Sequence, residues 1–173
     1  MGKTCCVTGH RNIPSQHVEG IKQKLETAIQ QALSHGCTHF ISGFAQGTDL
    51  LFASIVLQMQ ATNPSITLEA ALPYQNRTQS KNPLFHNLLL QCQKVTILHT
   101  NYTPSCFMDR NRYMVDHSDY LIAVYDGRKT GGTWNTLCYA QKRCASEHIA
   151  SFPSHTEGFC VIGYPLDSLC FPS

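Results

Sequence analysis

The sequence predicts an α/β fold, a doubly wound and mainly parallel sheet of five or six strands with helices on both faces. Three observations lead to this prediction. Short apolar runs alternate with longer segments of helical periodicity along residues 3–144. The runs are apolar throughout, which is typical of strands that are buried on both faces of a parallel sheet. Each run is followed by glycine, proline or a compact polar cluster, as expected where a strand turns into a helix.

Five apolar runs predict the strands. In chain order they are KTCCVTG at 3–9, THFISG at 38–43, SITLEAALP at 65–73, KVTILH at 94–99 and YLIAVY at 120–125. The first two end in glycine, and the third is closed by Pro73, which has no N–H to continue a ladder. The fifth breaks at Asp126-Gly127, a pair typical of turns.

The segments between the strands predict five helices, at 15–35, 47–60, 83–92, 106–117 and 133–144. In the first, apolar residues recur at steps of three and four, Pro14-Ser15 marks the start and Gly36 the end. The second is apolar and carries Asp49 in its first turn. Because strands and helices alternate regularly, the architecture is predicted to be Rossmann-like.

The length of 173 residues fits one domain with a sizeable core. Residues 1–150 are predicted to form a Rossmann-like nucleotide-binding domain. Residues 151–173 break the alternation, and we expect them to form a C-terminal edge strand, at FCVIGY, and a tail packed on the same domain.

Bulk composition narrows the class of protein. No apolar run approaches the ~20 residues that span a bilayer, and no signal peptide precedes the first strand, which predicts a cytoplasmic protein without a membrane partner. The nine cysteines include no C-x-x-C pair and are an odd number, so we expect reduced, mostly buried thiols and no metal site. A net charge of +2 disfavours a nucleic-acid partner.

The residues after the strands predict a ligand site, because ligands of such sheets bind outside the carboxyl ends of the strands. Gly47-Thr48 and Gly132-Thr133 begin helices, where free N–H groups and the helix dipole favour a phosphate. Four arginines on the same rim can bind phosphate oxygens: Arg11, Arg77, Arg110 and Arg112. The alternative is that each glycine only makes a turn and each threonine only caps a helix.

Three residues are candidates for catalysis: His10, Arg110 and Asp126. His10 lies in the first strand–helix turn and is a general acid or base, or else a hydrogen-bonding residue. Asp126 is placed to meet a ligand sugar. Asp49 either stabilises its helix start or contacts a ribose, a metal or a neighbouring arginine. The predicted ligand-binding residues are Gly9, His10, Arg11, Gly43, Ala45, Gly47, Thr48, Asp49, Pro73, Arg77, Arg110, Asn111, Asp126, Gly127, Gly131, Gly132, Thr133 and Asn135.

Four segments together resemble the YpsA-like family of bacterial proteins, over roughly residues 3–150. They are TGHR at 8–11, SGFAQGTD at 42–49, RNRYMVDHSDYLIAVYDG at 110–127 and GGTWNTLCYA at 131–140. That family belongs to the SLOG superfamily, with the LOG phosphoribohydrolases and the DNA-processing protein A family as relatives. The resemblance implies glycine loops that bind a nucleotide-derived small molecule, as a sensor would. ADP-ribose, AMP or an NAD derivative are the candidate ligands, and no cofactor is certain.

The LOG relatives imply an alternative, a nucleoside 5′-monophosphate phosphoribohydrolase. These enzymes carry an arginine shortly before a methionine, matched by Arg110 and Met114, and then PGGxGTxxE, matched in part by Gly131-Gly132-Thr133. Thr136 and Cys138 occupy the positions where the LOG glutamate would stand. The resemblance therefore implies binding without cleavage, or hydrolysis with another base.

The DNA-processing relatives imply a further alternative. They carry a phrase similar to SGFAQGTD and bind single-stranded DNA. Within this phrase, Phe44 stands where YpsA-like proteins usually have glycine. SLOG relatives often form dimers through helices, so a homodimer that pairs the apolar helix at 47–60 is an expectation, although a helix buried within one chain has the same pattern.

Overall fold

The computed structural model describes residues 2–146 and 159–163. Its strands are β1 (Lys3–Gly9), β2 (Cys37–Ser42), β3 (Thr67–Leu72), β4 (Lys94–Ile97), β5 (Tyr120–Tyr125) and β6 (Phe159–Gly163). They form one parallel sheet in the order β4-β3-β2-β1-β5-β6. The predicted doubly wound α/β fold with a parallel sheet is confirmed.

The helices are α1 (Ser15–Ser34), α2 (Thr48–Gln60), α3 (Pro83–Leu89), α4 (Cys106–Asp116) and α5 (Gly131–Ser146). All five were predicted, with bounds that differ by a few residues. The prediction for α3 ran three residues too far, because the backbone tightens there into three-residue hydrogen bonds, Gln91 to Leu88 and Cys92 to Leu89. A 3₁₀ turn at Gln75–Gln79 was not predicted.

The alternating side chains of the strands build two apolar layers, one on each face of the sheet. On one face Cys5, Phe40 and Leu68 pack among the buried residues of α1, α2 and α3. On the other face Cys6 and Ile41 pack against α4 and α5. Helices therefore cover both faces, which explains why the strands are apolar throughout.

The strand order places a switch point between β1 and β5. From β1 the chain proceeds outward through β2, β3 and β4, and it then returns to β5 on the opposite side of β1. Gly9, the last residue of β1, pairs with Val124. The loops that carry His10 and Asp126 therefore leave the sheet side by side, at the place where ligands of this architecture bind.

The strand expected at 159–164 is β6, at the edge of the sheet beside β5. The rest of the predicted tail, 151–158 and 164–173, lies outside the described residues. In the described part of the chain, none of the helices has both the length and the apolar character that a bilayer crossing needs. Six of its cysteines carry free thiols: Cys5, Cys6, Cys37, Cys92, Cys106 and Cys138. Burial raises the pKa of Cys6 to about 12.

Candidate functional site

A pocket of about 170 Å³ opens at the carboxyl edge of the sheet. The loops after β1, β2 and β3 form its walls together with α4. It is lined by Arg11, Gly43, Ala45, Gln46, Pro73, Arg77, Phe107 and Arg110. Three arginines thus surround one small volume, which we call the arginine pocket.

Arg110 is the buried member of the three, with 5% of its surface exposed. Its Nη1 donates a hydrogen bond to the carbonyl of Gly43, and its Nε donates to Oδ1 of Asn111 at 2.8 Å. Within the described residues its Nη2 makes no hydrogen bond, so N–H donors of this pocket-lining residue stay available to a ligand. Burial lowers the pKa of Arg110, Asp49 acts against this, and Arg11 and Arg77 lower it further. The group stays protonated nonetheless.

Asp49 supplies the negative charge beneath the pocket. Its Oδ2 lies 3.7 Å from Nη1 of Arg110 and accepts the N–H of Ala45 at 3.1 Å. Burial raises the pKa of Asp49, while Arg110 and the Ala45 N–H act in the opposite direction. Of the roles that the sequence left open for Asp49, the structure shows the contact with a neighbouring arginine.

The loop of residues 43–47 is shaped by two glycines and one strained phenylalanine. A Cβ on Gly43 would lie 2.7 Å from Oδ2 of Asp49 and even closer to Arg110, so only glycine lets these groups approach. Gly47 has a φ of 81°, and its Cβ would collide with the carbonyl of Arg11. Phe44 also has a positive φ, 53°, although its ring is buried edge-to-face against Phe85.

The donors at the start of α2 already bond to another part of the protein. The N–H of Thr48 donates to the carbonyl of His10 at 3.3 Å, and its hydroxyl donates to the same oxygen at 3.0 Å. Gly9 permits this packing, because a Cβ there would lie 2.5 Å from Oγ1 of Thr48. These contacts tie the loop after β1 to α2 and so position His10 and Arg11.

A second group of residues lies at the switch point. Nε2 of His10 is 3.0 Å from Oδ1 of Asp126, whose Oδ2 is 2.5 Å from Nε of Arg128. Burial lowers the pKa of His10, and Asp126 opposes this. Burial by itself raises the pKa of Asp126, but Arg128 and His10 outweigh it and the pKa is lowered. The ring of Tyr125 stacks between His10 and Trp134, at centroid distances of 6.1 and 6.0 Å.

A third group lies at the start of α5. Gly131, Gly132 and Asn135 are exposed, and Thr133 is buried. Nδ2 of Asn111 donates to Oγ1 of Thr136 at 2.9 Å, and that hydroxyl donates to the carbonyl of Gly132 at 2.8 Å. Asn111 therefore connects Arg110 to the first turn of α5, although the residues of that turn do not line the arginine pocket.

Most of the predicted residues are thus divided among three neighbouring places, while Gly9, Gly47 and Thr48 pack at the start of α2. Six of them line the arginine pocket: Arg11, Gly43, Ala45, Pro73, Arg77 and Arg110. The expectation that Arg112 shares their rim was wrong, because it lies 3.8 Å from Asp109 and over the ring of Tyr139. Gln46 and Phe107 were missed. Phe107 precedes Arg110 by three residues on a helix, a spacing that puts both on one face and was a usable signal.

Comparison with known proteins gives a family match over most of the chain. The family model YpsA, described as the YspA SLOG family, matches residues 5–152. UPF0398 proteins of Staphylococcus aureus strains JH9 and COL are each 27% identical over 139 residues, which cover 73% of this chain and 74% of each relative.

Two solved structures share the fold. DNA processing protein A from Helicobacter pylori, which binds single-stranded DNA, superposes with a TM-score of 0.58 and 18% identity. The match covers 82% of this chain and 61% of that one, so the chain spans less than two thirds of its length. The X-ray structure of TM1055, a structural genomics target, gives a TM-score of 0.55 and 15% identity, over 82% of this chain and 69% of that one.

Proposed function

The chain belongs to the YpsA family, the YspA SLOG family, and we propose that it binds a nucleotide or nucleotide-derived ligand whose phosphate enters the arginine pocket. One observation carries the proposal: Arg11, Arg77 and Arg110 surround the same small volume. Guanidinium groups offer paired donors that match phosphate oxygens. Our first candidate is a protein that binds the ligand without turnover, as a sensor does.

The charge around the pocket supports an anionic ligand. Asp49 balances Arg110 from below. In the described part of the chain no carboxylate lies within ion-pair distance of Arg11 or Arg77. The pocket therefore holds about two positive charges without a carboxylate partner, which a phosphate monoester would neutralise.

The arrangement also indicates where the rest of the ligand lies relative to its phosphate. Arg11 follows His10 directly, and the switch point with Asp126 adjoins the arginine pocket. The exposed glycines at the start of α5 connect to Arg110 through Asn111. We propose Asp126 as a contact for the sugar and Gly131-Gly132 as a second contact. AMP, ADP-ribose and NAD derivatives all fit this description.

A thermal-shift series with AMP, ADP, ADP-ribose and NAD tests the proposal. A ligand at a hundred times its dissociation constant adds ~2.7 kcal/mol of stability, which is visible as a rise in melting temperature. We expect Arg77→Gln to weaken the shift strongly. Arg112→Gln is the matched control, because Arg112 lies outside the pocket. Absence of a shift with every nucleotide, or equal loss in both variants, would contradict the proposal.

The contact between His10 and Asp126 favours a second candidate, in which water hydrolyses the N-glycosidic bond of a nucleoside 5′-monophosphate and yields the free base and ribose 5-phosphate. When neutral, Nε2 of His10 accepts the backbone N–H of Asp126 at 3.3 Å; when protonated, it can donate to Oδ1 at 3.0 Å. The Asp126 carboxylate thus stabilises the protonated ring that forms when a general base takes a proton. Burial lowers the pKa of His10, which favours the neutral ring, and this ring can accept a proton from water that replaces the Asp126 N–H at Nε2.

Chromatography of AMP incubated with the protein separates the two candidates. Intact AMP supports the binding module. Released adenine supports the hydrolase, and His10→Gln should then slow the reaction by ~10²–10⁴-fold. Single-stranded DNA is the third candidate, by similarity to the Helicobacter pylori protein. It would be supported if an oligonucleotide bound with a steep salt dependence while mononucleotides did not bind.

A further inference from the structure

Resting on the proposed function, we infer that the base of the nucleotide stacks on Tyr102, outside the arginine pocket. The first argument is size. Pockets that enclose an entire small-molecule ligand typically measure ~300–1,000 Å³. The arginine pocket measures about 170 Å³, and its walls are rich in guanidinium groups. It has room for a phosphate and part of a sugar, so the base must lie at the pocket mouth.

The second argument is what adjoins the pocket. Phe107 lines it and lies 6.4 Å from the ring centroid of Tyr102. Tyr74 contacts both rings edge-to-face, at 5.7 Å from Tyr102 and 6.2 Å from Phe107. We call these three residues the aromatic cluster. The guanidinium of Arg11 lies 5.0 Å from the centroid of Phe107 and covers that ring.

The third argument is exposure. Tyr102 has 61% of its surface exposed, whereas Phe107 and Tyr74 are half-buried. Two edge-to-face contacts hold the Tyr102 ring in place and leave most of it open to solvent. A fixed, exposed ring beside a phosphate site is the arrangement with which proteins stack nucleobases. Among the three rings, Tyr102 is thus the one available to a base.

Calorimetric titration of AMP and ribose 5-phosphate into the wild type and four variants tests the inference. Ribose 5-phosphate carries the phosphate and sugar but no base. We expect Tyr102→Ala to weaken AMP binding about tenfold and to leave ribose 5-phosphate unchanged, while Tyr102→Phe binds both like the wild type. Leu90→Ala is the control for removal of an exposed apolar side chain. Leu90 is 87% exposed and precedes β4, so it lies at the amino ends of the strands, whereas the pocket lies at their carboxyl ends.

The outcomes distinguish this inference from the proposed function. If Tyr102→Ala binds AMP as tightly as the wild type, or loses AMP and ribose 5-phosphate equally, the stacking inference is overturned while the arginine pocket stands. If the wild type binds neither compound, or if Arg77→Gln leaves ribose 5-phosphate binding unchanged, the proposed function fails and the stacking inference fails with it.

Discussion

Nη1 of Arg110 lies 3.7 Å from Oδ2 of Asp49, and each of the two side chains is more than nine-tenths buried. The contact joins α4 to the first turn of α2 beneath the arginine pocket. Removing one partner of a buried ion pair typically costs ~3–5 kcal/mol, because the other charge is left without compensation. Substitution of either residue of the pair is therefore expected to destabilise the fold strongly, in addition to its effect on a pocket arginine.

Asp49→Asn should lower the free energy of unfolding by ~3 kcal/mol, measured by urea denaturation. The matched control is Arg112→Gln, which removes an exposed ion pair from α4, the helix that carries Arg110, and should change stability little. A loss from Asp49→Asn no larger than that from the control would contradict the role assigned to the pair.

At Phe44 a glycine substitution should be less destabilising than an alanine substitution, which reverses the usual order of stability. The backbone of Phe44 has a positive φ, which costs a residue with a Cβ ~1–2 kcal/mol, while its buried ring packs on Phe85. Both truncations lose the packing, but Phe44→Gly also relieves the strain. We expect Phe44→Gly to be more stable than Phe44→Ala by ~1 kcal/mol in urea denaturation.

Phe85 provides the control for this comparison, because it lies in α3 and loses the same ring contact. There Phe85→Ala should be more stable than Phe85→Gly by ~1 kcal/mol, following helix propensity. The same order at both positions would show that Phe44 carries no backbone strain.

The secondary structure could be predicted because burial periodicity is a local property of the chain. The apolar steps of α1 and the run of β5 each identify an element without reference to any other segment. The 3₁₀ turn at Gln75–Gln79 could not be predicted in this way. Its first N–H bonds to the carbonyl of His99, 24 positions along the chain, so its conformation depends on tertiary contact.

The site was predictable only as far as strand ends determine it. Glycine and arginine after the strands indicated the rim, but the partner of Arg110 is Asp49, 61 positions away, and no periodicity relates them. The error at Arg112 was avoidable, because residues two apart on a helix do not face the same side. Once Arg110 is assigned to the pocket, Arg112 must lie on a different face of α4.

A buried carboxylate outside the site should control acid stability. Glu69 is 1% exposed and accepts hydrogen bonds from four side chains: His39 at 2.8 Å, Lys94 at 3.1 Å, Thr96 at 2.7 Å and Tyr113 at 2.7 Å. Burial alone would raise its pKa, but the four hydrogen bonds outweigh burial and lower it to about 2. The carboxylate is therefore held in its ionised form.

The sign of the effect follows from the lowered pKa. The stabilisation, ~3 kcal/mol by the size of the shift, is present above the ordinary glutamate value of 4.5 and is lost as pH falls from 4.5 toward 2. In urea denaturation the stability difference between wild type and Glu69→Gln should thus shrink across this window. A difference that stays constant between pH 6 and pH 3 would contradict the assignment.

Gly132→Ala tests whether the start of α5 or the arginine pocket dominates phosphate binding. A Cβ at Gly132 would meet its nearest neighbour, Nδ2 of Asn111, at 4.0 Å, so alanine fits. We expect unchanged or slightly higher stability, by up to ~1 kcal/mol, and a smaller loss of AMP affinity than Arg77→Gln causes. Gly43→Ala is the contrasting variant, because its Cβ would displace Arg110 and should impair both folding and binding. If the Gly132→Ala protein folds normally but loses more AMP affinity than Arg77→Gln, the phosphate site is at the start of α5 and not in the arginine pocket.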